Sequence, residues 1–270
     1  MSKARAIIKT EEEIELMRES SRIVSMVLGE LSNYMVPGIS TLRLDEIAYT
    51  FIKDHHAEPA FLNYKPHSSK TPYPYTLCVS VNEYVVHGLP KKDVILKEGD
   101  IVSIDCGVKY QGYYGDSAYS FKVGEVKPEV QKLLDVTYEC LELGIKKAVH
   151  GNRVGDIGYE VQTHAEKYGY SVVRDLVGHG IGTSLHEAPE VPNYGSRGKG
   201  MMLVEGLTIA IEPMINMGTK RLVLDKDGWS LSTADKLPSA HFEHTVVVRK
   251  GKAEILTTFE YIKNGKTAVV

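Results

Sequence analysis

Five residues carry most of the chemistry that this chain's spacing suggests: Asp105, Asp116, His179, Glu212 and Glu243. The two aspartates lie in "KEGDIVSIDCGVKYQGYYGDSAY", residues 97–119, where two strand-like runs flank the turn-like "KYQG". With the turn centred between Tyr110 and Gln111, Asp105 and Asp116 fall directly opposite one another in a hairpin. Like charges so placed are destabilising. Four converging carboxylates in an apolar sheet need proton sharing, exposure or a cation. Divalent metal meets that need, because bridging carboxylates can hold two ions about 3.5–4 Å apart. Strand alternation puts Ser103 on the face of Asp105 and Ala210 on the face of Glu212, leaving room beside each acid. Alone, the aspartates would read as ordinary hairpin acids with one turned to water; the other three residues, at repeat-related places, shift the reading to metal.

The second dense stretch is "VGHGIGTSLHEAPE", residues 177–190. Gly178, Gly180 and Gly182 suggest a phosphate loop, but Pro189 and Pro192 break the long helix that a dinucleotide fingerprint requires. "HEAPE" is not the zincin H-E-x-x-H, since position 190 is Glu. The glycines are expected to let backbone approach a group bound between His179 and His186. His55, His56, His67, His150 and His164 fall in helical or loop contexts and are expected at surfaces or caps. His244 should face away from the acids, whereas His241 shares the parity of Glu243 and is a neighbour of lesser weight.

The elements around these residues come twice. Thr10 and Glu13 form a capping-box signal before apolar positions at near-helical spacing from Ile14 to Leu31, "VPG" at 36–38 ends that helix, and "TLRLDEIAYTFIKDH" is a second. Residues 128–170 repeat the plan, with Gly151 between two further helices. "VVHG" at 85–88 then matches "VGHG" at 177–180, "EGDIVSID" at 98–105 matches "EGLTIAIE" at 205–212, and "YGDSAYSF" at 114–121 matches "HFEHTVVV" at 241–248. Asp105 thereby corresponds to Glu212, and Asp116 to Glu243. The expectation is one α/β (α+β) domain over 1–270, built from two similar halves near 10–123 and 128–250 whose strands meet around a cleft.

Composition sets the class. The chain has 270 residues, 43% hydrophobic and 25% charged, with a net charge of −3, which gives no electrostatic reason to expect nucleic acid or an anionic membrane as partner. No apolar run approaches the roughly 20 residues needed to span a bilayer, and the N-terminus lacks a signal-peptide core. Cys78, Cys106 and Cys140 have no C-x-x-C spacing, so neither a disulfide framework nor a zinc ribbon is expected, and a reducing cytoplasm fits. Cys106, beside Asp105, reads as a buried free cysteine rather than a nucleophile.

The motifs "NEYVVHG", "GDIVSIDCG", "GYYGDSA", "GHGIG…LHE", "TIAIEP" and "FEHTVVV" resemble the type I methionine aminopeptidases, of the creatinase-like pita-bread fold, over roughly residues 10–260. That resemblance implies a pita-bread fold with two pseudo-symmetric halves of antiparallel sheet around a dinuclear metal cleft. It implies two divalent ions (Co, Mn, Fe or Zn), one on Asp105, the other on His179 and Glu212, with Asp116 and Glu243 bridging. His87 and His186 would contact substrate and Glu212 would shuttle the proton. A methionine pocket would fall on Phe61, Tyr64, Tyr73, Cys78, Leu185 and Trp229, with "KPHSSKTP" at 65–72 inserted beside it. A monovalent cation site would use backbone carbonyls around Asn82, Tyr84 and Ser239. The implied activity is removal of the N-terminal methionine from nascent polypeptides, at the ribosome, when the second residue is small, by a cytoplasmic monomer.

Three alternatives bear weighing. Proline-directed peptidases such as aminopeptidase P or prolidase share the fold and metals but carry an additional N-terminal domain. Type II methionine aminopeptidases carry an insertion for which the His186–Glu212–Glu243 spacing is too compact. A binding protein on the same fold would have lost the ligands, and here all are present.

Overall fold

The computed structural model describes residues 6–66 and 69–263. Two helix pairs each precede a group of strands. In the first pair, α1 (Glu11–Leu31) starts at a complete Thr10–Glu13 capping box, and α2 (Thr41–Asp54) starts at Ser40. In the second, α3 (Pro128–Lys147) has proline in its first turn, and α4 (Val154–Lys167) follows the left-handed Gly151. Each helix buries one apolar face: Ile23, Val24, Val27 and Leu28 of α1, and Leu133, Val136, Cys140 and Leu141 of α3, join a single core with the strands.

The strands after the first pair are β1 (Glu58–Pro59), β2 (Leu77–Val81), β3 (Tyr84–Val86), β4 (Ile101–Tyr110) and β5 (Tyr113–Lys122). Those after the second are β6 (Ser171–Val172), β7 (Gly178–Gly180), β8 (Glu187–Val191), β9 (Thr208–Ile211), β10 (Met214–Asn216), β11 (Leu222–Leu224), β12 (Leu231–Thr233), β13 (Ser239–His241), β14 (His244–Val247) and β15 (Glu254–Ile255). All sheet pairings between these strands are antiparallel. In each group a central strand has a partner on both sides, β2-β4-β5 in the first and β7-β9-β14 in the second.

The β4–β5 hairpin turns one residue later than its sequence suggests. Tyr110 pairs with Tyr113, and Gln111 (φ 48°) and Gly112 (φ 88°) form the two-residue turn, both left-handed as a type I′ turn requires. Asp105 therefore faces Ala118, and Asp116 faces Gly107. The aspartates are diagonal neighbours on one face, not opposed. The glutamates are the opposed pair. Ile211 pairs with His244, Met214 pairs with His241, and the Phe242 amide donates to the Pro213 carbonyl at 3.4 Å, so the register runs through Glu212 against Glu243.

Strand pairing also corrects one motif match. His179 lies on β7, which pairs with central strand β9, and the strand in that place beside β4 is β2, not the β3 segment that leads to His87. The echo of "VVHG" in "VGHG" is thus one of sequence without equivalence of position.

The two groups are stitched along β5 and the β13–β14 chain. The Ser120 hydroxyl donates to the His241 carbonyl at 2.8 Å and accepts from its amide at 2.9 Å. Next, the Ser117 hydroxyl donates to the Glu243 carbonyl at 2.7 Å, and the Glu243 amide donates to the Ala118 carbonyl at 2.9 Å. The Thr245 hydroxyl closes the run by donating to the Asp116 carbonyl at 2.8 Å. Asp116 and Glu243 thus leave adjacent backbone where the halves join. Phe242, of opposite parity, turns into the core against Tyr119 and Tyr138 at ring distances of 5.0 and 5.5 Å.

Candidate metal centre

The seam brings acids and imidazole together. Asp116, His179 and Glu243 each offer an atom within 4.8 Å of the other two. His179 Nε2 lies 3.8 Å from Asp116 Oδ2 and 3.6 Å from Glu212 Oε1. Asp105 lies on the same face of the β4–β5 hairpin as Asp116 and lines the same cleft. All five sequence-expected ligands therefore meet at one place, at the base of one cleft.

Its electrostatics are those of a site built for a cation. Burial pushes Asp105 up to about 7. Burial, then neighbouring carboxylates, push Asp116, Glu212 and Glu243 well above the usual range. Asp105 Oδ1, Asp116 Oδ1 and Glu243 Oε1 are buried without a hydrogen-bond partner, which is uncommon for carboxylate oxygens. His179 Nδ1 donates to the Gly180 carbonyl at 2.9 Å, leaving the Nε2 lone pair aimed at the acids, and burial holds the ring's pKa down to about 3. A neutral imidazole fixed through one nitrogen, beside unpaired carboxylate oxygens, is a donor set that fits divalent metal. With oxygen donors dominant, it does not select among Mn, Fe, Co and Zn.

Above the acids the cleft has a volume of about 590 Å³. All six residues expected for the methionine pocket line it. Phe61 rests on Gly107, where any Cβ would come within 2.7 Å of the ring. Tyr73 meets Trp229 edge-on at 5.1 Å, and Trp229 meets His87 at 6.4 Å. Asp45 of α2 steadies this wall by accepting the Thr76 and Leu77 amides at 2.9 and 2.8 Å, one residue before Cys78. Lys65 and Pro66, at the start of the expected insertion, also line the cleft, while His67 and Ser68 lie outside the described residues.

Two histidines complete it. His186 meets His179 at a tilt of 59° with ring centroids 4.2 Å apart, and its Nδ1 lies 2.6 Å from the Tyr64 hydroxyl. Burial lowers His186 to about 4 and raises Tyr64, so both are neutral at pH 7, and the contact is met either by the phenol donating to Nδ1 or by Nδ1–H donating to the phenol oxygen. His87 sits at a left-handed φ of 56°, and burial lowers it to about 4.

Comparison with known proteins places this arrangement. Residues 15–250 match the model of metallopeptidase family M24. A methionine aminopeptidase from Clostridium acetobutylicum is 45% identical over 254 residues, 94% of this chain and 99% of that protein. The crystal structure of methionine aminopeptidase from Thermotoga maritima superposes with a TM-score of 0.90 at 44% identity, covering 94% of this chain and 99% of that one. The chain belongs to the methionine aminopeptidases of family M24. The pita-bread fold is also shared with a Pyrococcus furiosus prolidase, at a TM-score of 0.74 and 22% identity, of which this chain covers 66%.

Within this M24 chain, several details depart from the sequence reading. The glycines of 178–182 make room for protein, not for a bound group: a Cβ on Gly178 would meet the Ala210 carbonyl at 2.4 Å, and one on Gly180 the Ala188 carbonyl at 2.3 Å. Val177 and Met214 line the cleft and were passed over, although each sits two residues from a proposed ligand and so on its face. Lys9 was passed over too; it pairs with Glu187 at 2.6 Å, both side chains buried, and anchors the loop that carries His186. His244 does face away, bonded to Thr257 at 2.7 Å and stacked on Phe259. His55 stacks on Phe51 as the C-cap of α2, and His164 pairs with Glu139. The three cysteines are free and buried. Among the described residues, no helix is long and apolar enough to cross a membrane.

Proposed function

We propose that this chain removes N-terminal methionine from polypeptides whose second residue is small, using two divalent ions held by Asp105, Asp116, His179, Glu212 and Glu243. The observation that carries the reading is the set of unpaired, buried oxygens of Asp105, Asp116 and Glu243 beside His179, at the base of a cleft walled by Phe61, Tyr73, Cys78, Leu185 and Trp229. Such ions supply Lewis-acid polarisation of the scissile carbonyl and a nucleophile available near neutral pH. The methionine side chain packs among aromatic rings and the Cys78 thiol, contacts that favour a thioether. His186 offers its Nε2–H to the developing oxyanion in the tautomer whose Nδ1 accepts from the Tyr64 phenol. His87, neutral at working pH, supplies a hydrogen bond at the scissile amide. Glu212, with a raised proton affinity, accepts and returns the proton.

Nascent chains are the expected substrates, met at the ribosome in the cytoplasm by a monomer. A monovalent ion on the backbone near Asn82, Tyr84 and Ser239 belongs to the same reading; there the Asn82 carbonyl accepts the Ser239 amide at 2.9 Å. The test is metal-reconstituted protein offered Met-Ser-Lys, Met-Lys-Ser and Gly-Pro peptides. Free methionine from the first alone is expected. Equal rates on the first two would refute selection at the second residue, and cleavage of Gly-Pro would favour a prolidase-like activity.

A further inference from the structure

We propose that His241 is a positioning residue for Glu212, holding the outer oxygen of that carboxylate through an imidazole N–H; the inference rests on the metal-centre reading above. His241 is 1% exposed, and neither ring nitrogen has a hydrogen-bond partner among the described residues. Buried polar atoms left in that condition are rare. Its backbone is not free to move: Ser120 clamps both amide and carbonyl, and the Ser120 hydroxyl is itself held by Ser103 at 2.7 Å. The strand thus presents the ring to one place.

That place is Glu212. His241 Nε2 lies 3.8 Å from Glu212 Oε2, while the other oxygen, Oε1, lies 3.6 Å from His179 Nε2. The two imidazoles differ in what they can offer. His179 spends its N–H on the Gly180 carbonyl, so it turns a lone pair toward Glu212. His241 has no such engagement and can turn an N–H. A shift of about 1 Å brings the pair to hydrogen-bond length. The Glu212 backbone is fixed meanwhile by Asn193, whose amide donates to its carbonyl at 3.0 Å. His241 does not line the cleft, so it stands behind Glu212 rather than beside substrate. A group so placed sets the direction of a ligand's lone pairs without touching the reacting atoms.

Metal-free parent protein, His241→Leu and His241→Gln are titrated with Co(II) by calorimetry and visible absorption. Loss of an orienting partner typically weakens metal binding about 10–100-fold. That loss is expected for His241→Leu at unchanged stoichiometry, with His241→Gln restored to within a few-fold because its amide also carries N–H. Parent-like affinity in His241→Leu, equal weakness in both variants, or loss of one ion per chain would overturn the proposal, the last by making His241 a ligand. Should the leucine variant not fold, ¹⁵N spectra of the parent decide: His241 is expected to show one protonated nitrogen whose shift moves on adding metal, and an unmoved resonance overturns the proposal. If the parent takes up no metal, the centre itself fails, separately from His241.

Discussion

The Tyr64 hydroxyl and His186 Nδ1 meet at 2.6 Å across the mouth of the cleft. This contact keeps Nδ1 of His186 engaged with the phenol, whichever of the two carries the shared proton. Tyr64→Phe removes the constraint while keeping the ring in the cleft wall. Its kcat is expected to fall, by less than the about 10²–10⁴-fold of losing a proton donor outright, with KM little changed. Steady-state kinetics separate the two, and a rise in KM with unchanged kcat would make Tyr64 a wall residue only.

Asp116 should matter in opposite senses with and without metal. In the metal-free centre it is a buried acid crowded by Glu243 and Asp105. Asp116→Asn should therefore leave the metal-free protein at least as stable as the parent, while binding Co(II) or Mn(II) more weakly. Thermal melts on both forms check this; an unchanged metal titration would remove Asp116 from the ligand set.

Metal-free protein should lose stability as pH rises from the ordinary carboxylate range through the raised folded values of its buried acids, about 7 for Asp105. Burial raises Asp105 to about 7 and, with neighbouring carboxylates, holds Asp116, Glu212 and Glu243 well above their ordinary range, where the unfolded chain has released those protons already. The folded state then binds more protons, so stability falls with pH through the folded values. The buried His87, His179 and His186, lowered to about 4, 3 and 4, act in the opposite sense but only below their ordinary 6.5. Above pH 6.5, where the histidines no longer oppose the acids, urea midpoints should decline for metal-free protein until the folded values are passed, and stay level for the metal-loaded form. A rising midpoint in the metal-free series would contradict the assignment.

Lys9 and Glu187 form a pair with side chains 1% and 4% exposed. Glu187 Oε1 also accepts the Ser184 amide at 3.1 Å, tying the pair to the loop before His186. Removing one partner of a buried pair costs about 3–5 kcal/mol, because the other charge is stranded. Lys9→Met should lose about that much in denaturant titrations, and adding Glu187→Leu should recover part of it. Additive losses in the double variant would show that the two residues do not act as a pair.

The sequence pointed to the five proposed ligands because their chemistry is written in residue type, and strand parity and order suffice to bring them to one cleft. It misplaced the hairpin because Gln111 takes a left-handed φ that glycine or asparagine would have signalled. It missed that the facing acids are Glu212 and Glu243, because that register is set across a break between strands rather than by a short turn. The place of Lys9 depends on a contact 178 residues along the chain that no local pattern announces, whereas strand parity with Glu243 already marked His241 as a neighbour. The wall proposed for methionine was legible only through family resemblance, since aromatic residues scattered from Phe61 to Trp229 have no periodicity of their own.

The left-handed backbone at His87 has a consequence for laboratory evolution. A non-glycine residue in that region costs on the order of 1–3 kcal/mol, which glycine would relieve. A library of this gene screened only for survival of heating should therefore accumulate glycine at position 87, and those survivors should be the most heat-tolerant and the least able to trim a peptide. Screening for retained methionine release after heating should keep histidine there and drive the gains to other positions. The cleft is in this sense a place where thermal selection and catalytic selection pull the same codon in different directions.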